Sequence, residues 1–312
     1  MCNIWKSEDA GDLDPALLAR LPDNLRYVNL SGGEPFLRQD LPELVRATAR
    51  ACPRAQIIIS TNGLVAQSRV SEAMLAARKE LGDRIGLGIS LDGIGETHDR
   101  IRGVRGAFER AVGLAKSLKA EGFTNLRLAF TAVDENVGDF YEVYKLSQEL
   151  GIEFTSAVAQ GSSHYFRASN VSSVELEDLR QQLDRVASSE LSTMSPKRWA
   201  RAYFDRGLYE FASGSGRPLA CLAGADFFFL SPAGTIYPCN VLDEPLGNLH
   251  EASFEEIWNS PSAAAARWKV AKCDMGCWMV CTARTAIKRN PVKVAGWVAA
   301  GKLKAWQGKQ VL

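Results

Sequence analysis

Seven cysteines carry the first chemical signal: Cys2, Cys52, Cys221, Cys239, Cys273, Cys277 and Cys281. Five of them fall between residues 221 and 281, and the last three are spaced Cys-x3-Cys-x3-Cys. Thiolates are soft donors, and close spacing of this kind reads as a metal or iron–sulfur site rather than a disulfide framework. The first residues, MCNIWKSEDAGD, offer neither a basic n-region nor an apolar h-region, so the expected setting is reducing and cytoplasmic. Cys52 stands apart. It closes a helix-like stretch ahead of Pro53 and reads as a buried structural thiol.

The second signal is a set of polar, glycine-bearing segments: Ser31-Gly-Gly-Glu-Pro35, Ser60-Thr-Asn-Gly63 and Ser90-Leu-Asp-Gly93. Each follows an apolar, strand-like run directly. Glycines there let backbone amides and carbonyls approach a ligand closely, and Glu34 offers a carboxylate able to hold an ammonium group. Three such ends in succession define a site at the C-terminal rim of a barrel, where barrel enzymes place their chemistry. His98, after the third, is expected to be a solvated loop residue.

The elements that must position these residues alternate. Strands are expected over residues 26–30, 57–60, 85–91, 126–133 and 153–158, and helices over 41–51, 71–81, 107–121 and 140–150. Such alternation implies an α/β fold with parallel strands and crossover helices. The strands also have two unlike faces. Gly86, Gly88, Ser90 and Asp92 oppose Leu87, Ile89 and Leu91; Arg127, Ala129 and Thr131 oppose Leu126, Leu128 and Phe130; Asn29 and Ser31 oppose Val28 and Leu30. A doubly wound sheet would be apolar on both faces. A small, polar face instead fits a barrel with helices outside and a polar cavity inside.

Beyond Gly161 the character changes. Residues 166–218 read as a helical connector, with Ser172 and Glu175 as a capping box for a helix over 174–188. Residues 219–290 are dense in Cys, Gly, Pro and Trp, and read as a small, helix-poor domain organised by its metal. Residues 291–312 form a basic amphipathic tail, with Trp297, Leu303 and Trp306 as its apolar stripe. That tail either packs back on the body or docks on a membrane surface or partner. The chain has 312 residues, 37 Lys plus Arg against 36 Asp plus Glu, and 46% hydrophobic content. This is enough for a sizeable core, too balanced for nucleic acid to be the main partner, and without an apolar run of membrane-spanning length.

Together these motifs resemble a known family. Met-Cys2-Asn-Ile-Trp5 resembles the end of the Cys-x3-Cys-x2-Cys loop of radical S-adenosylmethionine (SAM) enzymes, and Gly32-Gly-Glu-Pro35 resembles their SAM-binding motif. Cys221-x12-Gly234-x4-Cys239, Gly247-Asn248, Trp258 and the last three cysteines are similar to the auxiliary-cluster domain called SPASM, or its shorter twitch form.

The resemblance implies a partial (β/α)6 TIM-like barrel over residues 1–165 and a Cys-rich SPASM/twitch-like domain over 219–290. It implies a [4Fe–4S] cluster whose open iron takes SAM, reductive cleavage of SAM to methionine and a 5′-deoxyadenosyl radical, and hydrogen abstraction from a peptide or small-molecule substrate. A reductase or flavodoxin-type electron donor is implied as partner. Cys2 would be the catalytic cluster ligand. The backbone at Gly32, Gly33, Glu34 and Pro35 would bind the methionine amino group, Ser90 and Asp92 would meet the ribose, and Asn62 is a further candidate. An auxiliary [4Fe–4S] cluster would be held by Cys221, Cys239 and two of Cys273, Cys277 and Cys281.

The chain departs from the family pattern in two places. Only the third cysteine of the radical loop is present, so the expectation is an N-terminus truncated within that loop and a barrel lacking its first strand. The alternative is a non-catalytic, metal-stabilised binding protein descended from such an enzyme. The last three cysteines are also fewer than a full SPASM domain carries, so one auxiliary cluster is expected rather than two. From the Cys-rich region alone a structural zinc protein also follows.

Overall fold

The computed structural model describes residues 11–162 and 174–312. Cys2 and Ser172 lie outside the described residues. In the first half, five strands alternate with five helices: β1 (Tyr27–Leu30), α1 (Leu41–Ala51), β2 (Gln56–Thr61), α2 (Gln67–Leu81), β3 (Ile85–Ser90), α3 (Glu96–Arg102), α4 (Ala107–Ala120), β4 (Leu126–Ala132), α5 (Phe140–Glu149) and β5 (Glu153–Val158). The strands form one parallel sheet in the order β1-β2-β3-β4-β5, the topology of a partial (β/α) barrel.

Local sequence explains the elements. α1 begins with Pro at its first turn and buries Leu41, Leu44, Val45 and Thr48, spaced for one face of a helix. Cys52 caps its C-terminal end, is fully buried, and has its thiol pushed up to about 11 by burial. The outward residues of the sheet, including Leu87, Ile89, Leu126 and Leu128, are fully buried against the helices. Rings of Phe130, Phe140 and Phe154 meet edge to face at 5.1 and 5.3 Å across β4, α5 and β5. Aromatic pairs of this geometry contribute about 0.5–1.5 kcal/mol each beyond area burial.

Two long helices follow, α6 (Leu176–Leu191) and α7 (Pro196–Ala212), packed on each other and on α5 and β5. Glu175 stands at the N-cap of α6 without a side-chain capping bond, and the helix starts two residues later than the expected 174. The C-terminal part holds a small antiparallel sheet, β6 (Phe229–Leu230), β7 (Thr235–Tyr237) and β8 (Gly247–Asn248), in the order β6-β7-β8.

It is not poor in helix. α8 (Phe254–Trp258), α9 (Pro261–Ala271) and α10 (Val280–Arg289) carry most of it. α8 opens on a capping box formed by Ser253 and Glu256, and α9 on Ser260 followed by Pro261. The basic tail is α11 (Pro291–Trp306). It packs back on α6 and α7 through Val294, Val298 and Gly301, while Trp297 meets Tyr203 edge to face at 5.5 Å. Leu303 and Trp306 remain exposed, so the apolar stripe expected there is only partly buried. Among the described residues, no helix is long and apolar enough to cross a membrane.

Candidate active site and cysteine centre

The polar strand face expected from the alternation is present. Along β4 and β5, Arg127, Ala129, Thr131, Glu153, Thr155 and Ala157 point inward while their neighbours are buried outward. This face forms one wall of a cavity of about 2330 Å³. Residues 31–35, helix α7, the turn between β6 and β7, and α10 form the rest. Barrel and C-terminal elements therefore enclose a single space.

Gly32 and Gly33 border that cavity, and a Cβ placed on either would meet no atom within 4 Å. The space on their side-chain side is open, which leaves room for a ligand to approach this backbone. Glu34 behaves differently from the expectation of a free carboxylate. Its Oε1 accepts from Phe36 N at 3.2 Å and from the Thr61 hydroxyl at 2.9 Å, and its Oε2 accepts from Asn62 N at 2.8 Å. It ties the end of β1 to the end of β2, and burial raises its pKa against those three hydrogen bonds. An ammonium group would have to compete with them. Asn62 turns its side chain to its own loop, accepting from Leu64 N at 2.8 Å.

Asp92 is likewise interior. It is fully buried, Oδ1 accepts from Thr131 N at 2.8 Å, and Oδ2 is ion-paired to Arg102. Its backbone N–H donates to Nδ1 of His98 at 2.9 Å, and its carbonyl accepts from Asn136 at 3.0 Å. Asp92 thus braces β3, α3 and β4 from within. His98, expected in solvent, is a fully buried residue of α3, and burial depresses its pKa to about 4. Ser90, half-buried at the end of β3, does not line the cavity, nor do Asn62 and Asp92.

The C-terminal cysteines converge. Cys221 precedes the β6 turn, Cys239 follows β7, Cys273 follows α9, Cys277 sits in the loop before α10, and Cys281 lies in its first turn. Cys277 is pushed up to about 12, chiefly by burial and then by Cys221, Cys239 and Cys273, with Arg217 opposing. Cys281 rises to about 12 from burial, with Cys239 and Cys277 adding to it. All five thiols share one neighbourhood, and burial there raises the pKa of Cys239, Cys277 and Cys281. Cys239 Sγ also accepts backbone N–H bonds from Val241 at 3.4 Å and Leu242 at 3.2 Å. A donor set of thiols alone, hydrogen-bonded at sulfur, fits an iron–sulfur cluster. Among the described residues, no three His, Cys, Asp or Glu side chains are drawn together at the spacing of a single bound ion.

Second contacts hold this centre in place. Gly234 turns the β6–β7 hairpin at φ +79°, with the imidazole of His250 only 2.9 Å from where a Cβ would stand. Asn248 pins the same turn by donating to Ala233 O at 2.9 Å. Trp258 stacks on Phe254 at 5.2 Å beneath the guanidinium of Arg267. Trp278, between two of the cysteines, is buried on α7 and donates to Phe204 O at 2.9 Å.

Several cavity residues escaped sequence reasoning. Arg284 and Lys288 follow Cys281 at i+3 and i+7, a spacing visible in the sequence as one helix face, but α10 itself was not expected. Asp205, on α7, is a buried cavity-lining carboxyl near Glu190, with its pKa raised well above the ordinary range by burial. Nothing in its flanking residues marks it.

Comparisons with known proteins agree with this layout. Residues 4–147 match the Radical SAM superfamily, and residues 221–282 match SPASM, an iron–sulfur cluster-binding domain. An AdoMet-dependent heme synthase of Methanosarcina barkeri is 27% identical over 249 residues, covering 74% of this chain and 67% of that protein. A mycofactocin maturase of Mycolicibacterium smegmatis is 30% identical over 248 residues, covering 74% of this chain and 57% of that one. The chain spans about two thirds or less of the length of these two relatives. Among solved structures, BtrN in complex with AdoMet and 2-DOIA aligns with 86% of this chain and 80% of its own, at 16% identity and a TM-score of 0.39.

Proposed function

Since the chain belongs to the radical SAM superfamily of enzymes and carries a SPASM domain, we propose that it reductively cleaves SAM and abstracts hydrogen from a substrate held in the cavity between the two. The observation that carries this reading is the shared cavity itself. Residues 31–35 of the barrel and Cys281 of the cysteine centre line the same space. The family implies SAM with a [4Fe–4S] cluster in the barrel and an auxiliary cluster at the cysteines.

In this reading the residues divide their work. The peptide groups of Gly32 to Pro35 bind the methionine end of SAM, and Cys2 is a ligand of the cluster beside it. Glu34 holds that loop against β2 instead of meeting the ligand through its carboxylate. Asp92 and Arg102 fix the ends of β3 and β4, and Ser90 is left as the candidate nearer the ribose. Cys221, Cys239 and two of Cys273, Cys277 and Cys281 hold one auxiliary cluster, which takes or supplies electrons. The substrate is a peptide or a small molecule, the compartment is the cytoplasm, and a reductase or flavodoxin-type protein supplies the electron. The barrel is assigned to residues 1–165, the connector to 166–218, the cluster domain to 219–290 and the tail to 291–312.

The test is anaerobic reconstitution of the full gene product with iron and sulfide, followed by SAM and a chemical reductant. Formation of 5′-deoxyadenosine and methionine is expected. A protein that binds iron yet leaves SAM intact is the non-catalytic binding protein instead.

A further inference from the structure

Positive charge gathers without balance on one side of the cavity. On α10, the residues Cys281, Arg284, Thr285 and Lys288 follow one another at i, i+3, i+4 and i+7, and all four line the cavity. Arg284 and Lys288 are like charges one turn apart, an arrangement that destabilises a helix. The nearness of Arg284 lowers the pKa of Lys288. Among the described residues neither has a carboxylate partner, whereas the next cation of the helix, Arg289, is paired with Asp226.

Across the cavity, Tyr27 of β1 collects two guanidinium groups. Arg284 lies 4.5 Å from its ring centroid, and Arg127 of β4 lies 5.8 Å from it. Arg127 donates to the Tyr27 hydroxyl at 2.8 Å and to Asn125 at 3.1 Å, while its Nε is buried without a partner. Glu153 on β5, which also feels the charge of Arg127, is already gripped by Lys197 and by Arg201 at 2.7 Å. Asp205 is held toward its neutral form, and Asp243 stands beside Tyr237. Two guanidinium groups from two different elements thus meet at one aromatic ring, with Lys288 one turn further along α10, and among the described residues neither Arg284 nor Lys288 has a carboxylate partner. That geometry suits carboxylate recognition, where guanidinium forks pair with planar oxygens.

We propose that Arg127, Arg284 and Lys288 form the recognition site for a carboxylate-bearing substrate, seating its anionic end beside Cys281 of the cysteine centre. The inference rests on the reading of the cavity as the substrate space, and names the chemistry that the substrate must carry. Such a carboxylate could belong to a porphyrin side chain or to a peptide C-terminus.

The test uses two probe pairs on the full, anaerobically reconstituted chain, followed by tryptophan fluorescence. One pair is coproporphyrin III and its methyl ester; the other is a short peptide with a free C-terminus and its amide. In at least one pair, the acid is expected to bind about tenfold more tightly than its neutral form, as a charged hydrogen bond implies. The pair that discriminates identifies the source. In R284Q/K288Q the preference should fall below about threefold, with iron content unchanged, while R284K/K288R, which keeps both charges, should retain more of it than R284Q/K288Q. If the double variant loses iron, Arg127→Gln on a separate strand carries the same expectation. Equal binding of acid and neutral forms in both pairs, or a preference that survives both R284Q/K288Q and Arg127→Gln, would overturn the proposal. If SAM is not cleaved while the acid preference holds, the catalytic reading falls and the carboxylate site stands.

Discussion

Two carboxylates that the sequence offered as ligand groups serve the fold instead. Glu34 and Asp92 sit in the expected motifs, but each turns its oxygens toward backbone N–H groups and a distant side chain. A motif fixes where a residue stands along a strand; it does not reveal which partner meets it from 10 residues away, as Arg102 meets Asp92. Arg102→Gln should therefore leave a buried, unpaired charge and lower stability by about 3 kcal/mol, read as a drop in the urea midpoint at neutral pH. His98 makes a pH-dependent contribution of known sign. Its folded pKa of about 4 lies below its ordinary 6.5, so the unfolded chain binds the extra proton first. Its contribution is fully present above about pH 7 and should shrink by roughly 2 kcal/mol on going to pH 5. Urea unfolding of wild type and His98→Gln at both pH values checks this: the variant should show the smaller loss.

At the scale of elements, the barrel half was the most legible. Alternating strands and helices with clear 2 and 3.6 periods leave little freedom, and α1 and β5 were expected at their observed bounds. The cysteine-rich half was less so. Its Cys, Gly and Pro content conceals α8 and α9, although Ser253 with Glu256 and Ser260 with Pro261 are helix starts that stand in the sequence. α8 is too short for hydrophobic periodicity to declare itself, and α9, as long as α1, is rich in alanine with little contrast between its faces. Nor could any local pattern foresee that Gly207, inside α7, admits the indole of Trp278. A Cβ there would lie 2.3 Å from the ring. Gly207→Ala should raise intrinsic helix propensity yet destabilise the protein by about 1–3 kcal/mol through overpacking. A lower melting temperature together with reduced iron loading is the expected pair of observations, since Trp278 positions the loop between Cys277 and Cys281.

For the molecule as a whole, the cysteine centre is a cross-link. It gathers segments from before β6, after β7, after α9 and within α10, which are also joined by short strands, aromatic contacts and a small apolar cluster of Ala223, Cys239, Val241 and Val270. The barrel contributes most of the main hydrophobic core, which Ile236, Leu249, Ile257 and Trp278 join from the C-terminal part. Removing iron with a chelator should accordingly expose the region after Gly216 to protease while the barrel persists, with the cleavage sites read by mass spectrometry. Iron analysis should return about four irons per chain from this centre. Cys221→Ser and Cys239→Ser should lose that iron and its colour, as should two of the three single variants Cys273→Ser, Cys277→Ser and Cys281→Ser, and Cys52→Ser should retain both. The order of the strands and the position of the cysteines were readable at this scale; their meeting around one cavity was not, because it depends on how α7 and α10 pack on β5.

That packing gives α10 a double allegiance. Cys281 and Arg284 stand less than one turn apart on the same rigid helix. Were Cys281 one of the two ligands drawn from the last three cysteines, a fixed cation beside its thiolate would favour the more reduced, more negative state of the group it binds and so raise the reduction potential. Neutralising Arg284 would therefore act on binding and on electron affinity together. In a lineage that exchanged one substrate for another through this wall, selectivity and redox poise could not drift independently. Each new anionic substrate would arrive with a shift in driving force, and a compensating change elsewhere around the cysteines would have to follow.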